Sequence, residues 1–230
     1  MLMVPMTETI FIPVRDGHLR AQLSYGDAPR GVAVIAGPHP LMGGSTESNV
    51  VRAVASRLPQ EGLATLTFDY SGFGVNESQH TKARAGRLAM IAEFWDSGAT
   101  HRDEELLEDV AAAWAWAKDA VPGMCMAVGY SFGAYAVHQL HAPEPDAVVL
   151  LCPTLSKHNY EPRRDGVPIQ LLFGDNDFSC PGDAVDEYIQ RCDVASCMRV
   201  VHADHFLKGH EQVTAEYCTS AMRTVLELTQ

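Results

Sequence analysis

The stretch Met124-Cys125-Met126-Ala127-Val128-Gly129-Tyr130-Ser131-Phe132-Gly133-Ala134-Tyr135 decides the fold. Its first five residues are a short apolar run, the pattern of a strand buried on both faces. Gly129 to Gly133 then spells G-x-S-x-G, and the residues that follow predict a helix over 132–140. A serine between strand and helix must sit on a sharp turn, and glycine two residues to either side leaves room for neighbouring backbone. Such a turn lifts the hydroxyl above the sheet. It also aims the first amides of the helix, helped by the helix dipole, at the place where an oxyanion would develop. Ser131 is therefore the candidate nucleophile, and the N–H of Phe132 a candidate oxyanion donor.

On either side of this stretch, strands alternate with helices. Upstream, two alternating runs at 9–14 and 18–25 flank Arg15-Asp16-Gly17, a hairpin signal that makes this pair antiparallel. Residues 31–36 and 63–68 are continuous apolar runs, separated by helical spacing over 50–58. A helix is expected over 104–120, with acidic residues in its first turn and Leu106, Leu107, Val110, Trp114 and Ala117 along one face. Downstream, strands are expected at 147–151, 169–173 and 198–201, and helices at 184–191 and 211–228. The pattern implies one domain over 1–230, of α/β class, with a mostly parallel sheet after the hairpin and helices on both faces. The sixteen residues between Leu151 and Pro168 leave no room for a large cap.

Residues 79–102 break the rhythm, being longer than an ordinary strand-to-helix connection. They read as an insertion whose residues Leu88, Met90, Ile91, Phe94 and Trp95 exceed one buried stripe, with Lys82, Arg84 and Arg87 as a local positive cluster. A partial lid, a homodimer contact and a solvated surface helix are all compatible with that pattern.

The chain resembles the α/β-hydrolases, and among them the short serine hydrolases related to the dienelactone hydrolases. Besides the G-x-S-x-G turn, the resemblance rests on Gly37-Pro38-His39-Pro40-Leu41-Met42-Gly43-Gly44 followed by Asn49-Val50-Val51, and on Phe68-Asp69-Tyr70-Ser71-Gly72-Phe73-Gly74. It covers most of the chain. Dienelactone hydrolases proper usually carry cysteine where this chain has Ser131.

The resemblance implies the chain order Ser…Asp/Glu…His for nucleophile, acid and base. After the strand at 169–173, Asp175 and Asp177 compete for the acid. Asp177, between Gly174 and Pro181, matches the superfamily's acid turn, and the other aspartate is left as a turn former. For the base, His205 in Asp204-His205-Phe206 matches, while His202 belongs to the strand and His210 to the start of the last helix. The second oxyanion donor should come from the turn after residue 36. Pro38 and Pro40 have no N–H, so Leu41 is the first clear donor beyond them. His39 either lines the site or braces the turn; Tyr130, Phe94 and Trp95 are the other candidates for contact with substrate.

A serine hydrolase so built takes a small or medium ester, thioester or lactone and needs no cofactor or metal. A peptidase or amidase of the same fold, and a non-catalytic binding protein, are the alternatives. No P-loop, dinucleotide fingerprint or H-E-x-x-H is present. A formal charge of −12 disfavours nucleic acid and anionic membranes as partners. No apolar run approaches the roughly 18 residues of a membrane span. With no signal segment at the start and no CxxC spacing, the six cysteines read as free thiols of a cytoplasmic protein.

Overall fold

A computed structural model describes residues 5–79, 87–97 and 99–228. Its frame is an eight-stranded sheet: β1 (Met6–Val14), β2 (Gly17–Tyr25), β3 (Gly31–Ala36), β4 (Ala64–Phe68), β5 (Met124–Tyr130), β6 (Ala147–Leu151), β7 (Ile169–Asn176) and β8 (Val194–Asp204). The spatial order is β1-β2-β4-β3-β5-β6-β7-β8. The hairpin β1–β2 and the β2–β4 pair are antiparallel, and every later pair is parallel. Every residue of β3, β4, β5 and β6 is buried, as continuous apolar runs require when helices cover both faces.

Helices α1 (Asn49–Arg57) and α6 (Glu211–Leu228) cover one face, packing Val50, Val51, Val54, Cys218 and Met222 against Ile35, Met126 and Val128. On the other face lie α3 (Asp103–Ala120), α4 (Phe132–His138) and α5 (Gly182–Arg191), with Leu106, Val110, Trp114, Val137, Val185 and Tyr188 in the core. The remaining helix, α2 (Arg87–Ser97), lies within the segment read as an insertion. Lys82 and Arg84 fall outside the described residues, and so do the side chains of Arg87, Leu88 and Trp95. The β6–β7 connection forms neither helix nor strand, so no cap is built there.

β8 begins four residues before and ends three residues after the stretch expected from the sequence. It is an edge strand with most of its side chains exposed, so only a small part of it carries a buried apolar signal. All six cysteines are free. Among the described residues no helix is long and apolar enough to cross a membrane.

The turn after β4 is tied to α3 through one buried carboxylate. The Ser71 N–H and Oγ–H both donate to Asp109, each at 2.7 Å. Burial pushes the Asp109 carboxyl up to about 6, against the opposing pull of those two bonds. The unfolded value is about 4. Between pH 4 and 6 the unfolded chain therefore loses this proton before the folded chain does, and this group's contribution to stability falls as pH rises through that window. The gap corresponds to about 3 kcal/mol. Asp109→Asn, which titrates no proton, should thus improve by about 2–3 kcal/mol relative to wild type between pH 4 and pH 7. Urea unfolding at the two pH values measures it, and a pH-independent difference between the chains refutes it.

Candidate active site

In the sheet order β3 and β5 are neighbours whose onward connections run in opposite directions, from β3 to β4 and from β5 to β6, and a crevice opens at the carboxyl ends of these two strands. Ser131 follows β5 there with φ 59° and ψ −119°, a conformation costly for a non-glycine residue. The flanking glycines make the turn sterically feasible. A Cβ on Gly129 would lie 2.3 Å from the Gly133 carbonyl oxygen, and one on Gly133 would lie 2.0 Å from that of Ala36. The Ser131 N–H donates to the Leu151 carbonyl at 2.9 Å, which pins the turn to β6. Phe132 opens α4, so its N–H lies outside the helical ladder.

The structure brings Ser131, His205 and Asp177 together although they lie far apart in the chain. Ser131 Oγ and His205 Nε2 are 2.8 Å apart, and His205 Nδ1 is 2.8 Å from Asp177 Oδ1. Asp177 Oδ1 also accepts from the Ser179 and Cys180 N–H groups at 2.8 and 3.1 Å, which aims the carboxylate at the ring. An ionised carboxylate only accepts, so Nδ1 carries the ring proton and Nε2 is left to accept from the serine hydroxyl. The Tyr130 hydroxyl donates to the His205 carbonyl at 3.0 Å, and its ring stacks on the imidazole. Tyr130 thus braces His205 while forming part of the cavity wall.

The rival residues lie elsewhere. Asp175 is exposed and accepts from the Asn176 side chain. His202 is exposed on β8 with φ 61°, and His210 immediately precedes α6.

Cys152, one residue beyond β6, joins the group from below. Its Sγ, an Asp177 oxygen and a His205 nitrogen lie within 4.8 Å of one another. That is a metal-ligating set of donors by type. As arranged, however, the Asp177–His205 edge is occupied by a hydrogen bond. Burial and the neighbouring carboxylate raise the Cys152 thiol, so it stays protonated.

His39 does both things weighed for it. It lines the cavity and caps the short 3-10 turn Pro40–Met42, its Nδ1 accepting from the Leu41 N–H at 3.2 Å. His39 Nε2 lies 3.2 Å from Asp103 Oδ1, and the ring stacks on Phe94 at 4.7 Å. Burial pushes the Asp103 carboxyl up, but hydrogen bonds from His39 and Thr100 outweigh it and hold the group below its ordinary value. An ionised Asp103 places the His39 proton on Nε2, consistent with acceptance at Nδ1. The Leu41 N–H is therefore bonded to an imidazole in this structure rather than open to the crevice.

Over these groups lies a cavity of about 530 Å³, whose walls include His39, Phe94, Ser131, His158, Phe178 and Phe206. Phe178 and Phe206 are 58% and 52% exposed and stand 4.9 and 5.9 Å from the His205 ring, forming an apolar rim. Reading the sequence for triad members overlooked both, although each directly follows one of them. It also overlooked Cys152 and His158, which belong to no recognisable spacing.

The model of the dienelactone hydrolase family matches residues 23–214. Among curated proteins, the chain is similar to the uncharacterized protein RP471 of Rickettsia prowazekii (strain Madrid E), 22% identical over 206 residues, covering 84% of this chain and 79% of the other. Among solved structures it is similar to an alpha-beta serine hydrolase homologue from Coxiella burnetii, with TM-score 0.75 and 20% identity over 93% of this chain and 96% of that one. It is also similar to XC6422 from Xanthomonas campestris, described as an a/b serine hydrolase without lid, with TM-score 0.75 and 17% identity over 97% and 96% of the two chains.

Proposed function

The chain belongs to the dienelactone hydrolase family, a hydrolase of the α/β fold, and on that premise we propose that it is a serine esterase acting through an acyl-enzyme on Ser131. The observation that carries this reading is the continuous line of hydrogen bonds Ser131–His205–Asp177, each 2.8 Å long, opening into the cavity.

In this mechanism Ser131 Oγ attacks the ester carbonyl carbon as His205 Nε2 takes its proton, and Asp177 stabilises the imidazolium that forms. The Phe132 N–H receives the negative charge that develops on the carbonyl oxygen. The Leu41 N–H serves as second donor by turning from His39 Nδ1 to the oxyanion. His205 then protonates the departing alkoxide, and water, activated by the same imidazole, releases the acid and regenerates Ser131.

The cavity volume and its apolar rim favour small or medium acyl esters, thioesters or lactones. Phe94, Asp96 and Ser97 of α2 line the cavity, which supports reading the insertion as a partial lid. Two measurements test the function together. A fluorophosphonate probe should label wild type at Ser131, and a series of p-nitrophenyl esters of rising chain length should be hydrolysed, with lactones and thioesters run beside them. A protein that neither reacts with the probe nor cleaves any of these substrates is instead a non-catalytic binding protein.

A further inference from the structure

One cavity wall holds a polar ring that this mechanism does not use. His158, in the β6–β7 connection, stacks on Tyr135 at 4.5 Å and 25° and meets the Phe132 ring edge-on at 5.6 Å. The hydrogen bonds around it favour one tautomer. The Thr154 N–H donates to the Tyr160 hydroxyl oxygen at 3.1 Å. Burial holds the Tyr160 phenol far above its ordinary range, so it keeps its proton, and the acceptor beside it is Thr154 Oγ1 at 3.3 Å. Thr154 Oγ1 in turn has its own hydrogen to give, and His158 Nδ1 lies 2.8 Å away. An imidazole that accepts at Nδ1 carries its proton at Nε2. Burial lowers the His158 pKa, which keeps the ring neutral. Among the described residues Nε2 has no hydrogen-bond partner, and the residue lines the cavity.

The side of the substrate that meets this donor follows from the chemistry. The leaving group must be protonated by His205, so it lies against His205, Phe178 and Phe206. His158 lies instead against Phe132, whose N–H faces the carbonyl oxygen, and so borders the acyl portion. The ionised Asp103 acts on His158 through space and would repel a second carboxylate brought to the same wall. The acceptor that fits is a neutral oxygen.

We propose that His158 is a specificity-determining residue whose Nε2–H donates to a neutral keto, ester or amide oxygen carried on the acyl chain of the substrate. The proposal rests on the Ser131 reading for which side is acyl. Its energetic basis is that a pocket built around a polar group discriminates against a substrate lacking the partner.

The test compares p-nitrophenyl 4-oxopentanoate with p-nitrophenyl pentanoate, two chains of equal length. Wild type should prefer the oxo ester in kcat/KM. In His158→Phe, which keeps an aromatic stack but has no donor, that preference should fall by about threefold to tenfold. His158→Gln, which restores an N–H, should recover part of it, and Thr154→Val, which releases the tautomer, should lose part of it. The same ratio is read without turnover by ligand-observed NMR, as binding of methyl 4-oxopentanoate against methyl pentanoate to Ser131→Ala protein. A wild-type chain with no preference, or a preference unchanged in His158→Phe, overturns the proposal. Absence of both probe labelling and ester cleavage would instead remove the Ser131 reading, and the binding ratio would still decide for or against His158.

Discussion

Ser131→Ala is expected to lower kcat/KM on every ester the protein cleaves by on the order of 10⁴–10⁶-fold, and to abolish labelling by a fluorophosphonate. The size follows from the mechanism, since no covalent intermediate can form without the hydroxyl and the residual rate comes only from binding and oxyanion stabilisation. Stability should change little. Alanine at φ 59° is as strained as serine, and the lost bond to His205 lies at a partly exposed position, which limits its worth to about 1 kcal/mol. Thermal unfolding of the two proteins should therefore nearly coincide. An alanine variant within tenfold of wild type would place the nucleophile elsewhere.

Asp177→Asn is expected to lower kcat by about 10³–10⁴-fold, with Asp175→Asn within about twofold of wild type. The two aspartates are separated by one residue in the chain, yet only Asp177 is buried against the imidazole. An asparagine at 177 can still present an oxygen to the Ser179 and Cys180 amides, so the turn should hold. It cannot supply the negative charge that stabilises an imidazolium 2.8 Å away. The loss should accordingly appear in kcat more than in KM, because the imidazolium exists only as the reaction proceeds. Equal losses in the two variants, or the larger loss in Asp175→Asn, would reverse the assignment of the acid.

The alternation of apolar runs and helical stripes was legible because it is local. The run at 31–36 coincides with β3, the run at 147–151 with β6, and the periodicity at 211–228 with α6. The G-x-S-x-G turn was equally legible as a pattern, although only the demand on Gly129 is set by the backbone of the turn itself, while Gly133 is required by the close approach of the Ala36 carbonyl at the end of β3. Where the local signal was weak the reading fell short, as at β8, whose exposed side chains hide most of an eleven-residue strand.

The order Ser131, Asp177, His205 could be taken from resemblance, but their meeting depends on parallel pairing of β5, β6, β7 and β8, which stacks the strand ends of residues 74 positions apart. The same holds for contacts that no spacing announces: the Leu41 N–H on His39, His39 on Asp103 of α3, Cys152 beside Asp177, and the Tyr160–Thr154–His158 relay. Hydrophobic periodicity records only which face of an element is buried. Which polar atom meets which depends on strand register and on the rotation of each loop, and those are settled only when the layers pack.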